Sequence, residues 1–270
     1  MDFDFFPRDD FAKRYGSWAV VAGGCEEIGA ALARAVAAHG IRLFLIDKHP
    51  EPLVALSRSI TAASQVEVRA APLDLTAPAE LAQARALTAA MEVGLFIYDS
   101  GPRRSGGRFV EQPLAQLLLT IQRNVIGPVA LSHHYAAQMA QQGRGGIILI
   151  GSIEGCPGQA DAAIHSGSKA FEQIFTEGLW HELKPAGVDA LCCVAAYGGT
   201  SAQDPGSASR PHSIPDAAIV AAEALEHLKD GPIWFAGENN RASARTLCTP
   251  DRRAASELIS AQAAHPRRVH

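Results

Sequence analysis

Short apolar runs alternate with longer segments of helical periodicity along most of this 270-residue chain. The short runs are rich in β-branched residues and mostly lack polar alternation, which is typical of strands buried on both faces. The longer segments carry apolar residues at three- and four-residue steps, the spacing of amphipathic helices. Because repeated strand–helix units form right-handed crossovers and a parallel sheet, we predict an α/β fold. It is a doubly wound parallel sheet of about seven strands with helices on both faces.

These elements use up the chain, so we expect a single domain over residues 1–270, with its core at about 16–240. The expected strands are 18–22, 41–46, 66–71, 95–98, 147–150, 188–194 and 233–236. The expected helices are 28–39, 52–64, 79–91, 114–142, 164–183 and 215–228, with 241–247 and 253–264 in a C-terminal tail, 241–270. Residues 197–213, rich in Gly, Ser and Pro, follow the sixth strand at the edge where such sheets bind ligands, and we expect a substrate lid there.

Composition excludes several classes of partner. The net charge of -4 gives no reason to expect nucleic acid or an anionic membrane surface. No apolar run approaches the ~18 residues of a membrane span, and the acidic, aromatic N-terminus does not look like a signal peptide. The five cysteines show neither a CxxC pair nor metal-ligand spacing. We therefore expect a cytoplasmic protein without a metal site.

A glycine-rich turn, 22–29, links the first expected strand to the first expected helix. Its N–H groups and the positive helix end can approach a pyrophosphate. Asp47 closes the second strand about 20 residues later, where a carboxylate can bind ribose hydroxyls. Its charge would repel a 2′-phosphate and favours NAD, whereas the adjacent Lys48 favours NADP. The expected cofactor is therefore NAD or NADP. The turn residues expected to contact it are Gly23, Cys25, Ile28 and Gly29.

Further motifs follow in a fixed order. Asp74 comes after the third strand, Asn124 lies on the long fourth helix, Ser152 ends the fifth strand, and a His165–Lys169 segment begins the next helix. In this order and spacing, the chain resembles the short-chain dehydrogenase/reductase superfamily over residues 16–240. That superfamily carries TGxxxGxG, Asp, NNAG, Asn, Ser and YxxxK motifs. The resemblance implies a Rossmann-type fold and an oxidoreductase that uses a nicotinamide cofactor.

The resemblance also implies roles for individual residues. Asn124 would hold a water in a proton relay, and Ser152, thirteen residues before His165, would orient a substrate carbonyl or alcohol. His165 would be the acid/base, and Lys169 would bind the nicotinamide ribose from the same helical face. The other residues expected to contact the cofactor are Asp74, Leu75, Ser100, Gly101 and Thr200.

His165 departs from the superfamily pattern because it stands where the catalytic tyrosine is expected. Tyrosine, with an ordinary pKa of about 10, needs a nearby cation, whereas histidine titrates near about 6.5 without help. The Lys169 cation would favour neutral imidazole, which can accept a proton in alcohol oxidation but is a poorer donor for carbonyl reduction. A histidine that remained after catalysis was lost is the alternative interpretation.

Three other positions also depart from the pattern. Glu27 replaces the middle glycine of the turn, where its carboxylate suits a helix N-terminus but competes with a pyrophosphate. Residues 98–101, Tyr-Asp-Ser-Gly, replace NNAG. The proline-containing motif that normally precedes the position of Thr200 is missing.

Three functions stay open at this stage. The first is an NAD(P)-dependent oxidoreductase that acts on a secondary alcohol or carbonyl of a small molecule. The second is non-redox proton transfer, such as elimination, isomerisation or cyclisation, by the same pocket. The third is a non-catalytic subunit. By resemblance, the partners are a small-molecule substrate and further copies of the chain, in a homodimer or homotetramer formed through the helices near 114–142 and 162–184.

Overall fold

The computed structural model describes residues 8–25, 27–101, 106–195 and 216–263. Seven strands form one parallel sheet in the order β3-β2-β1-β4-β5-β6-β7, which confirms the doubly wound α/β fold. The strands are β1 (Trp18–Ala22), β2 (Arg42–Asp47), β3 (Val68–Pro72), β4 (Val93–Tyr98), β5 (Gly145–Ser152), β6 (Val188–Ala195) and β7 (Ile233–Phe235).

Helices cover both faces of the sheet. They are α1 (Arg8–Tyr15), α2 (Glu27–Ala38), α3 (Pro50–Ser64), α4 (Pro78–Thr88), α5 (Leu114–Ile121), α6 (Gly127–Gln142), α7 (Ala163–Leu183), α8 (Ala217–Glu226), α9 (Glu238–Leu247) and α10 (Arg252–Ala263). The sequence did not predict α1. Its Phe11 and Tyr15 are buried in the core, and its Arg14 binds Asp189 of β6 at 2.8 Å.

Burial explains why the central strands read as continuous apolar runs. Every residue of β1, β4 and β5 is buried, so apolar residues occupy both faces of these strands and polar residues do not alternate with them. The edge strand β3 is mostly exposed, and it begins at Val68 rather than at the predicted position 66. Two apolar clusters, one on each face of the sheet, form the core.

The order of the strands fixes where a ligand site can form. β1 lies between β2 and β4, so the chain changes its direction of winding there. In doubly wound sheets, ligands bind in the crevice outside the carboxyl ends of the strands at this switch point. Gly23 follows β1, Asp47 ends β2, and Asp99 follows β4, so these residues meet at that crevice.

The predicted long helix is continuous from 114 to 142, but a π-helical turn, Gln122–Ile126, separates α5 from α6. Tyr98 stabilises this turn, because its hydroxyl donates a hydrogen bond of 2.7 Å to the Arg123 carbonyl. Gly127 makes room for that hydroxyl, since a Cβ on Gly127 would lie 2.4 Å from it. The π turn therefore depends on a tyrosine in β4 and a glycine in α6.

This same helix bears on the expectation that no apolar run approaches the length of a membrane span. It has 29 residues, and an 18-residue window within it has a mean hydropathy of 1.2, so by length and composition alone it could span a membrane. Gln122, Arg123 and Asn124 interrupt its apolar residues, so it contains no continuous apolar run of that length. A single helix of this kind is weak evidence for a membrane, because helices of soluble proteins meet the same criterion.

The contact between Gly127 and Tyr98 makes a testable prediction. Gly127→Ala should lower the free energy of unfolding by about 1–3 kcal/mol, because the added methyl overlaps the tyrosine hydroxyl. In a Tyr98→Phe background, the same substitution should cost less. Gly178→Ala is the matched control: Gly178 lies within α7 with no atom near its Cβ position, so alanine should stabilise by up to about 1 kcal/mol. Equal effects at both glycines in urea denaturation would contradict this account.

Candidate active site

A cavity of about 340 Å³ opens at the crevice between the carboxyl ends of the strands. It contains five of the residues predicted to contact the cofactor, namely Gly23, Asp47, Asp74, Leu75 and Ser100. The rest of its lining consists of Lys48, Leu73, Thr76, Tyr98 and Asp99, together with Gln116, Leu119 and Thr120 of α5 and Arg123 of the π-helical turn. The cavity combines carboxylates at the strand ends with an apolar wall, which suits a nucleoside.

The glycine-rich turn lies tightly against the loop after β4. Gly23 has a φ of +81°, and a Cβ there would lie 1.8 Å from the Asp99 carbonyl oxygen, so only glycine fits. The Asp99 carboxylate accepts hydrogen bonds from the backbone N–H of Gly29 at 3.1 Å and of Gly101 at 2.8 Å. Asp99 thereby joins the turn to the β4 loop and places a negative charge at the start of α2.

The remaining turn residues have different surroundings. The Cys25 N–H donates to Asp47 at 3.2 Å, and the other Asp47 oxygen accepts from the His49 N–H at 3.0 Å. Ile28 is buried in the core rather than at the cavity. Glu27 is exposed and is the first residue of α2, so its carboxylate lies at the helix N-terminus.

Thr200 and the expected lid, 197–213, lie outside the described residues.

Asp74 is held ionised at the rim of the cavity. Burial alone would raise its pKa, but hydrogen bonds from the Thr76 N–H and hydroxyl, at 3.0 and 2.8 Å, act in the opposite direction. The positive charges of Lys48 and Arg123 add to this effect, so the pKa of Asp74 lies below its ordinary value. A charged carboxylate at this position can accept hydrogen bonds from a ligand.

Two polar side chains, those of His165 and Glu154, meet beyond the end of β5, next to Ser152. His165, in the first turn of α7, is buried, and its Nε2 lies 3.0 Å from the Glu154 carboxylate. Glu154 belongs to a short 3-10 turn, Ile153–Gly155, and its N–H donates to the Ser152 hydroxyl at 3.2 Å. The structure thus links the two predicted residues, Ser152 and His165, through an acidic residue that the sequence analysis did not single out.

Asn124 is fully buried in the π turn and faces α7. Its side-chain amide donates to the Ser168 hydroxyl at 2.9 Å, and that hydroxyl donates to the His165 carbonyl at 2.8 Å. Arg123 donates to the Asn124 side-chain oxygen at 3.1 Å. Asn124 therefore contacts the backbone of the His165 turn through Ser168.

Lys169 is fully buried, and its ammonium binds groups of the protein itself. It donates to the Ser100 hydroxyl at 2.8 Å, to the Ile150 carbonyl at 2.7 Å and to the Glu172 carboxylate at 2.8 Å. These acceptors account for all three protons of an ammonium group. A ribose hydroxyl that binds Lys169 has to replace one of them or share its proton.

Glu172 is the buried counter-ion of Lys169. Burial raises its pKa to about 7, although the ammonium opposes this shift. The sequence analysis missed both Glu154 and Glu172, although each has a local signal. Glu172 follows Lys169 by three residues, so the two side chains share one face of a helix. Glu154 follows Ser152 by two residues, but its contact with His165 depends on the tertiary fold.

Comparison with known proteins identifies the family. Residues 17–210 match the family model for short chain dehydrogenase, so the chain belongs to this family. The chain is 26% identical over 246 residues to a 7beta-hydroxysteroid dehydrogenase from Clostridium sardiniense, covering 90% of this chain and 94% of that protein. It is 27% identical over 225 residues to the inactive hydroxysteroid dehydrogenase-like protein 1 of Rattus norvegicus, covering 82% and 68% respectively.

Solved structures share the fold. The chain superimposes on a 7beta-hydroxysteroid dehydrogenase with a TM-score of 0.83 and 23% identity, covering 92% of this chain and 98% of that chain. A short-chain dehydrogenase from Sphingobium yanoikuyae in complex with NADPH gives a TM-score of 0.72 at 23% identity, covering 94% and 98%. The family indicates a nicotinamide cofactor without distinguishing NAD from NADP.

The raised pKa of Glu172 predicts a specific pH dependence of stability. Between its ordinary value of 4.5 and about 7, the folded protein binds more protons at this site than the unfolded chain. The contribution of Glu172 is therefore fully present below pH 4.5 and is lost as the pH rises through about 7. Relative to Glu172→Gln, the free energy of unfolding of the wild type should fall across this window by up to about 3 kcal/mol.

Urea denaturation at stepped pH measures this difference. Glu177→Gln, at an exposed position of the same helix, is the matched control and should run parallel to the wild type. If wild type and Glu172→Gln also ran parallel from pH 4.5 to 7, the buried pair would not have the protonation behaviour described here.

Proposed function

We propose that this protein is an NAD(P)-dependent oxidoreductase that acts on a secondary alcohol or carbonyl of a small molecule, with His165 in the position of the usual catalytic tyrosine. The observation that carries the proposal is the contact of 3.0 Å between His165 Nε2 and Glu154, beside the Ser152 hydroxyl. The similarity to 7beta-hydroxysteroid dehydrogenases favours a bulky alicyclic alcohol, such as a hydroxysteroid, as substrate.

Ser152 and His165 would have separate roles at the substrate oxygen: Ser152 would donate a hydrogen bond, and His165 would take up the proton. The Ser152 hydroxyl accepts the Glu154 N–H, which leaves its own proton available to a substrate oxygen. A proton removed from the alcohol would be held by the His165–Glu154 pair. The Glu154 carboxylate favours the imidazolium that forms, and its side chain is 22% exposed, so the proton can exchange with solvent.

The cavity residues fit the adenosine part of a nicotinamide dinucleotide. Asp47 and Asp74 would accept hydrogen bonds from its ribose and base, and Leu75 would contact the base. When bound, the nicotinamide supplies hydride acceptance or donation. We favour NAD because Asp47 lies at the cavity, although Lys48 lies there too and would attract a 2′-phosphate.

Non-redox proton transfer is the second candidate, and two observations favour it. Glu172 and Ser100 bind the ammonium of Lys169, the residue that would contact the nicotinamide ribose. Glu27 places a carboxylate where a pyrophosphate would approach α2. In this case the His165–Glu154 pair would act as a general base in an elimination or isomerisation. The similarity to an inactive hydroxysteroid dehydrogenase-like protein leaves a non-catalytic subunit as a third outcome.

We also propose that the chain forms a homodimer or homotetramer in the cytoplasm. The α5–α6 helix and α7 expose large apolar side chains, which would be covered by another copy. They are Leu114, Leu118, Ile126 and Ile174, exposed by 67%, 53%, 42% and 67%.

Substitution of His165 tests the proposal. His165→Ala should lower kcat for oxidation of a hydroxysteroid panel with NAD or NADP by at least about 100-fold, because the acid/base is lost. Glu154→Gln should lower it by roughly 10-fold and move the acid limb of the pH profile, because the imidazolium loses its counter-ion. His133→Ala, at an exposed position of α6, is the control and should keep full activity.

The outcomes separate the three candidates. Cofactor-dependent turnover that persists in His165→Ala would contradict the role of this histidine. Turnover that requires His165 but no nicotinamide would favour the non-redox reaction. Absence of turnover in the wild type with both cofactors, across the panel and in the absence of nicotinamide, would favour a non-catalytic subunit.

A further inference from the structure

Two cysteines that are far apart in sequence meet beside the His165 site. Cys156 directly follows the 3-10 turn that carries Glu154, and Cys248 directly follows α9. Their sulfur atoms are 2.7 Å apart, with the Cys248 thiol donating to Cys156. A disulfide bond is about 2.05 Å long, so the two sulfurs need to approach by less than about 1 Å to form it.

The surrounding contacts hold these two thiols together. The C-terminal segment, 248–263, packs on the loop 153–162 through two hydrogen bonds. The Ser256 hydroxyl donates to the Gly158 carbonyl at 2.5 Å. The Ala160 N–H donates to the Ser260 hydroxyl at 2.8 Å. Cys156, Leu247 and Ile259 form a small apolar cluster at the same contact. Contacts between the loop 153–162 and the C-terminal segment therefore hold the two sulfur atoms close together.

The two thiols differ in a way that suits sequential oxidation. Cys248 is exposed, whereas Cys156 is buried. Once Cys248 is ionised, the Cys156 thiol donates a hydrogen bond to its thiolate; this is the main cause that lowers the pKa of Cys248, and the positive charge of Arg252 also lowers it. The same hydrogen bond and burial raise the pKa of Cys156 well above its ordinary value. Cys248 is thus the thiol that reacts first, and Cys156 is the resolving thiol.

We propose that Cys156 and Cys248 form a reversible, hydroperoxide-sensitive disulfide that ties the C-terminal segment to the loop bearing Glu154. In the first step, the Cys248 thiolate attacks the peroxide, its O–O bond breaks, and a sulfenic acid and water or an alcohol form. In the second step, the Cys156 sulfur attacks the sulfenic sulfur, and the S–S bond forms as water leaves. Each sulfur loses one electron, and the peroxide takes up both. A dithiol reductant reverses the reaction.

The bond would act on the site through the loop. Cys156 follows Glu154 by two residues, so a covalent link at Cys156 restrains the turn that brings Glu154 to His165. In a reducing compartment such a bond is transient and responds to oxidants, which is the usual role of cytoplasmic disulfides. This proposal stands on the sulfur contact and does not depend on the reaction proposed for His165.

Native oxidation followed by peptide mapping tests the proposal. Purified reduced protein is treated with equimolar hydrogen peroxide, trapped with an alkylating agent and digested without reductant. We expect a peptide that links Cys156 to Cys248, with the loss of two hydrogen atoms, and its disappearance after dithiothreitol. Cys25→Ser, which changes a cysteine of the glycine-rich turn, should still form the link, whereas Cys248→Ser should not.

Thermal unfolding provides a second readout. Because the bond closes a long loop, oxidation should raise the Tm of the wild type by roughly 5 °C or more and leave that of Cys248→Ser unchanged. Cys248 is exposed, so its replacement by serine should not prevent folding. The proposal is overturned if Cys156 and Cys248 both remain alkylatable after treatment, or if the only bonds that form join other cysteines.

Discussion

A fully buried ion pair between Lys169 and Glu172 connects the parts of the candidate site. The Lys169 ammonium binds the end of β5 through the Ile150 carbonyl and the loop after β4 through Ser100. Glu172 supplies the negative charge from the same helix at 2.8 Å. Loss of one partner of such a pair typically costs about 3–5 kcal/mol, because a buried charge is left uncompensated. The pair therefore fixes α7, and with it His165, against the carboxyl edge of the sheet.

This pair also separates the two halves of the site. On the nucleotide side, the cavity retains carboxylates at the ends of β2 and after β3, and its glycine turn is held by Asp99. On the chemical side, the lysine already has protein partners, while the histidine faces a carboxylate of its own in Glu154. The arrangement differs from the expectation that the Lys169 cation would favour neutral imidazole at His165, because both side chains have acidic neighbours.

The spacing of apolar residues along the chain predicted most of the fold, because this spacing depends directly on which faces of the strands and helices are buried. The continuous apolar strands and the amphipathic helices lie within a few residues of their predicted bounds, and the parallel sheet follows from their alternation. The two features that the sequence did not predict, α1 and the π turn, have physical causes. α1 is short and largely polar, so its buried Phe11 and Tyr15 give no clear periodicity. The π turn depends on Tyr98, a residue of a different element, which no pattern within the helix reveals.

The candidate site was predictable only where the chain places residues by local spacing. Gly23 and Asp74 follow β1 and β3, and Asp47 ends β2, so a parallel sheet brings them to one edge. Glu154 contacts His165 across a loop and a helix start, and this contact requires the tertiary structure. The roles of Asn124, Ser152, His165 and Lys169 remain predictions, because geometry shows their contacts and not their chemistry.

Calorimetric titration of the purified protein with NADH and NADPH tests the central claim most directly, namely that the cavity binds a nicotinamide dinucleotide. Thr120→Trp, which fills the cavity from the α5 side, is the matched variant. The account predicts saturable binding of NADH or NADPH, with one site per chain, and its loss in Thr120→Trp. Absence of binding of either cofactor to the wild type at millimolar concentration, or equal binding to the variant, would contradict it.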